Sequence, residues 1–312
     1  MTKSVLIMLS TYNGQKYLRE QLDSLYQQKD VDIHILVRDD GSQDNTVEIL
    51  KEYQQRLGKM TILSEPNIGA KKSFHSLILS AKQMHPNYDY YAFCDQDDIW
   101  LEQKLKVAVD ALDKLDDKYK MYFSAMTSVD SCLKPLNINR DVMAINNLYA
   151  NMTSGRIAGC TQVFNYDVLD KASLLSRDII SNNESDFLPY HDWWVASISY
   201  CLSDNIIQDN KSYILYRQHG GNAVGSQHHS FVDRFKRFIN TKHRIFRPIA
   251  ADKLMSYIGN EICEEKKTFL IKVISYKKNL LNTLSLMFDK RMYHYSADVS
   301  IPLFFIILLR KF

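Results

Sequence analysis

The chemistry in this chain is suggested first by Asp95-Gln96-Asp97, two carboxylates one residue apart that follow the apolar run Tyr90–Phe93. Carboxylate oxygens are hard ligands, and a pair on one turn suits Mg2+ or Mn2+ bridging a diphosphate. A cation so placed neutralises charge on a departing nucleoside diphosphate. The same string also fits a solvated acidic turn, or a cap from Asp97 or Asp98 ahead of Trp100, so it does not decide alone. Asp39-Asp40-Gly41-Ser42 follows a second apolar run, Ile33–Val37. A carboxylate there can accept from the imide N–H of uracil or thymine, while Gly41 equally suits a plain β-turn. Thr11-Tyr12-Asn13-Gly14 follows a third run, Val5–Leu9, and offers Tyr12 as a ring to stack on a flat base or as loop packing.

The elements that must hold these strings alternate. Strands are predicted at Val5–Leu9, Ile33–Val37, Thr61–Leu63, Tyr90–Phe93 and Met121–Met126. Between them, helical spacing of apolar residues predicts helices over Tyr17–Leu25, from Asp44 through Tyr53, over Lys71–Met84 and from Trp100 to Leu115. This is a βαβαβαβαβ pattern, so the expected fold class is α/β, a mostly parallel sheet with helices on both faces. Ligands of such sheets bind outside the carboxyl ends of the strands, which is where all three polar strings fall. Further on, Thr161–Asn165 and Ser212–Tyr216 read as strands and Tyr190–Leu202 as a helix.

The chain has 312 residues, 46% apolar and 24% charged, which excludes general disorder, and its 10 Gly and 6 Pro exclude collagen-like or low-complexity structure. The net charge of +3 conceals an asymmetry. Residues 1–230 hold 23 Lys+Arg and 29 Asp+Glu, whereas residues 231–312 hold 16 and 7. Two parts are therefore expected, a catalytic domain over 1–230 and a basic amphipathic helical region over 231–312 suited to membrane association or oligomerisation. Five cysteines without C-x-x-C spacing and no leader-like opening predict a reducing, cytoplasmic setting. The longest apolar run, Ile301–Leu309, is too short to span a bilayer.

Leu9-Ser-Thr-Tyr-Asn-Gly14, Val37-Arg-Asp-Asp-Gly-Ser-Gln-Asp-Asn-Thr46, Asn67-Ile-Gly69 and Phe93-Cys-Asp-Gln-Asp-Asp-Ile-Trp100 together resemble glycosyltransferase family 2, in order and spacing, over residues 4–125. The resemblance implies a GT-A fold, a nucleotide-sugar donor, Mn2+ or Mg2+ and inversion at the anomeric carbon. It implies that Thr11, Tyr12, Asp39 and Asp40 line the nucleotide pocket, with Asn13, Asn67 and Gln96 in the same site, Asp95 on the sugar or ribose side and Asp97 on the metal.

His191-Asp192-Trp193-Trp194 stands where this family keeps an acidic base at a helix start, although His-Asp replaces the more usual Glu-Asp. Asp192 is the expected base for the acceptor hydroxyl. His191, Trp193, Trp194 and Gly159 are assigned to the acceptor side; an N-cap aspartate followed by two core tryptophans is the plainer alternative. Tyr216-Arg-Gln-His-Gly-Gly-Asn222 is similar to a segment of bacterial rhamnosyltransferases, which implies His219 as a further metal ligand and Arg217 facing the diphosphate. The Gln-x-x-Arg-Trp signature of processive synthases is absent.

The resulting expectation is transfer of L-rhamnose from dTDP-L-rhamnose to a lipid-linked saccharide acceptor. A UDP-hexose or UDP-N-acetylhexosamine donor is the alternative, and a non-catalytic nucleotide-binding scaffold is the alternative of another class. In the tail, Phe231, Phe235, Phe238 and Ile239 alternate with Arg234, Lys236, Arg237, Lys242, Arg244 and Arg247. That pattern suits a helix lying on an anionic membrane surface at the inner face of the cell membrane, or one packed on the catalytic domain or a second subunit as a homo-oligomer. No nucleic-acid-binding module is present, so nucleic acid is not an expected partner.

Overall fold

The structure is a computed structural model, and it describes residues 2–84, 87–140, 147–153, 157–181, 189–219, 246–293, 297–310 and 312. The first strand, β1 (Ser4–Thr11), is apolar without interruption from Val5 to Leu9 because it lies in mid-sheet with both faces covered. Its alternate side chains enter different cores. Val5, Ile7 and Leu9 pack with α1 (Leu18–Tyr26) and α2 (Thr46–Leu57), while Leu6 and Met8 pack with α3 (Ala70–Gln83) on the opposite face. Around β1, β2 (Asp32–Asp39), β3 (Met60–Ser64) and β4 (Tyr90–Cys94) complete a parallel block in the order β3-β2-β1-β4. The carboxyl ends of β1, β2 and β4 therefore finish side by side, with the Asp40 amide donating to the Thr11 carbonyl at 2.8 Å.

Beyond β4 the sheet departs from the expected repeat. Ile99 and Trp100 form a short strand, β5, antiparallel to β9 (Ile207–Arg217), and the helix α4 begins only at Lys104 and runs to Leu112. Trp100 is thus a strand residue, its amide bonded to Ser24 Oγ at 3.1 Å, and not the first residue of a helix. The strand β6 (Met121–Val129) does not pair with β4. A three-residue strand, β8 (Val163–Asn165), lies between them and is antiparallel to both. β6 pairs in parallel with β9 and antiparallel with β7 (Pro135–Arg140). Pairing between distant segments, absent from the local pattern, makes the second half of the sheet mixed.

The helices α5 (Leu148–Thr153), α6 (Tyr166–Ser181) and α7 (His191–Leu202) cover the same face as α3. Among the described residues, four more follow: α8 (Phe246–Ile258), α9 (Glu264–Ser275), α10 (Leu280–Met287) and α11 (Ala297–Leu308). Their buried Leu254, Phe269, Leu270, Leu303 and Ile307 join the cluster that holds Leu6, Phe74 and Trp194. The carboxyl-terminal region is therefore built onto the catalytic face through a shared core. Residues 231–245, the main part of the expected interfacial helix, lie outside the described residues. Arg247, at its end, is buried and donates to the Thr153 carbonyl at 2.7 Å, so it serves the core and not a lipid headgroup. Among the described residues, no helix is long and apolar enough to cross a membrane.

Candidate active site

The parallel strand ends supply the floor of a cleft. Asp39, at the end of β2, is buried and accepts from Thr11 Oγ1 at 3.0 Å and from the Ser42 amide at 3.0 Å and hydroxyl at 2.5 Å. Asp40 is differently employed. Its carboxylate takes the Arg38 guanidinium and the amides of Ile68 and Gly69 at 2.9 and 2.8 Å, which ties the end of β2 to the start of α3. Both aspartates are thus buried and hydrogen-bonded within the scaffold, Asp39 to the first loop and its own turn, Asp40 to Arg38 and the start of α3. The Asn67 backbone passes so close to Gly41 that a Cβ there would lie 3.0 Å from the Asn67 nitrogen, and Gly41 also needs its φ of +77°.

The first loop is pinned from two sides. Asn13 accepts from the Gln43 amide at 2.8 Å, and its own amide donates to Ser42 Oγ at 2.9 Å. Gln96, expected as a donor ligand, clamps the Tyr12 backbone instead: Oε1 accepts from the Tyr12 amide at 2.8 Å and Nε2 donates to the Tyr12 carbonyl at 3.1 Å. The clamp leaves Tyr12 itself 48% exposed, a free ring at the lip of the strand ends. It also explains Gly14, where a Cβ would stand 2.3 Å from Gln96 Oε1. No local turn signal reveals that need.

Asp97 and His219 meet although 122 residues apart, with Nε2 of His219 2.7 Å from Oδ2 of Asp97. The meeting is forced by β9, whose end is tied back to the Asp97 loop. The Arg217 amide donates to Asp98 Oδ1 at 3.0 Å, and the Arg217 guanidinium donates to the carbonyls of Asp97 and Ser131, both at 2.8 Å, and to Glu20 at 2.6 Å. Arg217 is 1% exposed and stacks on Tyr17. In this structure it braces the loop. The Asp97 carboxylate suits Mn2+ or Mg2+, and an imidazole nitrogen beside it favours Mn2+ over the oxygen-seeking Mg2+. A second grouping, Asp95, Asp98 and Cys160, brings ligand atoms within 4.8 Å of one another. Asp98 and Cys160 are enclosed, however, and burial pushes both well above their usual pKa ranges, which disfavours the charged forms that a hard cation requires.

Asp95 is lifted to about 7, first by burial and then by the neighbouring charges of Asp97 and Asp192. The carboxylate that follows β4 is therefore within electrostatic reach of the one on α7. Asp192 stands in the first turn of α7, where burial lifts it to about 6 against the amides of Trp193, Asp192 itself and Gly159, which favour its ionised form. That is a suitable proton affinity for a base at neutral pH.

The remaining acceptor-side expectations divide. Gly159 lies directly against the start of α7: a Cβ there would stand 2.6 Å from His191 Nε2 and 3.4 Å from Asp192 Cβ. His191 is buried, stacked on Phe74 at 3.9 Å and edge-on to Phe93 at 4.5 Å, and burial holds it neutral, well below its usual range. Trp193 and Trp194 are core residues whose indole N–H groups donate to the carbonyls of Asn151 at 2.9 Å and Ala172 at 3.3 Å. None of these three offers a face to a sugar, because α7 is buried almost all round. The exposed aromatic at this helix start is Tyr190.

His75 was not indicated by its local sequence. It is fully buried, held neutral by burial at about 4, and its Nε2 donates to the Pro189 carbonyl at 3.2 Å while Nδ1 meets Ser176 Oγ at 2.9 Å. It anchors the approach to α7 and hence Asp192. Gly159→Ala is expected to retain donor binding and to cut kcat about tenfold or more, since overpacking at this contact costs about 1–3 kcal/mol and displaces the helix start. Steady-state kinetics beside thermal unfolding would check it; kcat equal to wild type would show that the contact relaxes harmlessly.

Residues 6–171 match the family model for glycosyl transferase family 2. The chain belongs to glycosyltransferase family 2. A family 2 relative, dTDP-rhamnosyl transferase RfbG of Shigella flexneri, is 32% identical over 261 residues, spanning 82% of this chain and 85% of that protein. An uncharacterised glycosyltransferase of Rickettsia prowazekii is 26% identical over 58% of this chain and 56% of its own length. Among solved structures, residues 1–349 of S. aureus TarS superpose with a TM-score of 0.58 at 17% identity, covering 92% of this chain and 75% of that one. The same protein in complex with UDP-GlcNAc gives 0.56 at 18% identity, covering 92% and 76%. At that identity the likeness is one of fold, and it makes the mixed, mostly parallel sheet of this family 2 glycosyltransferase a GT-A sheet.

Proposed function

We propose that this glycosyltransferase inverts the anomeric carbon of L-rhamnose while moving it from dTDP-L-rhamnose to a lipid-linked saccharide, in cell-wall or capsular polysaccharide synthesis. The reading of the reaction is supported by Asp95 lying within electrostatic reach of both Asp97 and Asp192. The sugar rests on the similarity to dTDP-rhamnosyl transferase RfbG.

Thr11, Asp39 and the Tyr12 ring receive the nucleotide at the strand ends. Asp97 and His219 hold a divalent cation, Mn2+ or Mg2+, which when bound neutralises the diphosphate. Asp192 takes the proton of the acceptor hydroxyl as that oxygen bonds to the anomeric carbon from the face opposite the diphosphate. The bond from the anomeric carbon to the diphosphate oxygen breaks, and dTDP leaves with its electron pair. Burial and the α7 helix start hold the carboxylate in place, so attack requires no reorganisation of the base. Acceptors anchored in lipid place the enzyme at the inner, cytoplasmic face of the cell membrane.

Donor hydrolysis tests the sugar. With Mn2+, dTDP-L-rhamnose should be hydrolysed at least about tenfold faster than UDP-glucose, UDP-galactose or UDP-N-acetylglucosamine. Preference for a UDP-hexose would replace the rhamnose reading while leaving the site intact.

A further inference from the structure

We propose that the outer face of the α10–α11 pair is the surface that seats this protein on an anionic lipid bilayer. The inference deepens the reading of a lipid-linked acceptor and rests on it for the choice of a membrane as occupant. The two helices pack against each other, with the Phe288 and Phe304 rings 6.0 Å apart and Phe304 meeting Phe305 at 5.9 Å. Their inner residues, Leu286, Met287, Leu303, Ile306 and Ile307, are in the core. On the outside Leu280, Leu281, Phe288, Phe305, Leu308 and Leu309 are between 42% and 76% exposed. Positions 280 and 281 of α10 and its C-cap Phe288 fall on one helical face, as do 305 and 308 of α11 with Leu309 just past its end. The chain end is fixed beside them, since the Tyr276 hydroxyl donates to the Phe312 carbonyl at 2.6 Å.

Six large apolar side chains on one pair of helices exceed the scatter expected of a solvated surface. The charge around them selects the occupant. From Lys277 to Phe312 the sequence carries Lys277, Lys278, Lys290, Arg291, Arg310 and Lys311 against Asp289 and Asp298. Asp289 is buried and bonded to Lys272 and Arg291, so it adds no outward negative charge, while Lys277, Lys278, Lys290 and Arg310 are exposed. Apolar side chains rimmed by cations match acyl chains beneath anionic headgroups. The face is formed by residues 280–309 and not by the expected segment 231–247, and the helices are far too short to span, so they would lie in the interface.

Cosedimentation of the full-length protein with vesicles tests this. Phosphatidylcholine vesicles containing phosphatidylglycerol should bind it, and phosphatidylcholine alone should bind about tenfold less. Leu281→Glu with Phe288→Glu should weaken binding about a hundredfold with unchanged thermal unfolding, because both side chains are exposed. Lys277→Glu with Lys278→Glu should remove the preference for phosphatidylglycerol. Donor hydrolysis without vesicles should be unaffected in both variants, so a wrong donor assignment and a wrong docking face give different results. Wild-type protein that binds neither vesicle, or binding untouched by the first pair, overturns the proposal. A dimer in sedimentation that the first pair disperses, without vesicle binding, would assign the face to a second copy of the chain.

Discussion

Asp192→Asn is expected to bind the nucleotide-sugar as wild type does and to lose about 10³-fold in kcat, the usual scale for removing a positioned general base. The amide keeps the shape of the carboxylate and can still accept from the Trp193 amide, now 2.7 Å from Asp192 Oδ1, so α7 should start unchanged. What disappears is the site for the acceptor proton. The pH dependence separates this from a packing effect. Burial lifts Asp192 to about 6, and the ionised form is the active one. Wild-type kcat/KM should therefore be level above that value and fall about tenfold per pH unit below it. Asp95, lifted to about 7 in the same cleft, titrates nearby, so the assignment rests on the acid limb vanishing in Asp192→Asn. Wild-type turnover in the variant, or an acid limb that persists in it, would sink the base assignment. Calorimetric titration with dTDP, run beside the kinetics, reports whether donor binding has survived.

The second large effect is expected at Asp97. Asp97→Ala removes the carboxylate that faces His219 at 2.7 Å while leaving the Asp97 carbonyl to hold Arg217 at 2.8 Å. The loop should stay braced and the cation site should be lost. Metal-dependent affinity for dTDP should fall roughly 10²-fold, the equivalent of about 3 kcal/mol of charge neutralisation. Chelation of wild-type protein should reproduce the loss, and chelation of the variant should add little. The proposal fails if dTDP binds wild-type protein equally with and without chelator. His219→Gln should behave in the same direction, whereas Arg217→Gln should lower the unfolding temperature, because Arg217 is buried among backbone carbonyls and Glu20.

The strands that frame the cleft were legible because each carries its own evidence. Val5–Leu9 is apolar at every position, and residues with that composition are stable only between two covered faces. The acidic strings at the strand ends were legible for a related reason: parallel strands connected by helices must end on one side. The reading failed where a residue's partner is remote. Trp100 has the apolar spacing of a helix, yet β9, 114 residues further on, pairs Ile214 with it and draws it into the sheet. Trp193 and Trp194 stand beside an acidic residue at a helix start, which suits a sugar platform in sequence. The carbonyls of Asn151 and Ala172 claim their indole donors and bury them.

By itself the sequence determined the alternation of strands and helices, the side of the sheet on which ligands gather, and the acidic residues offered there, since these follow from periodicity and from the chirality of the chain. Only the tertiary structure decided which offered groups remain in the cleft. Asp97 and His219 are brought together as a pair, whereas Arg217, Asp40 and Gln96 are each bonded to the backbone of other segments. The reason is that a polar side chain is spent on whichever buried donor or acceptor the fold brings beside it, and long-range pairing sets that neighbour.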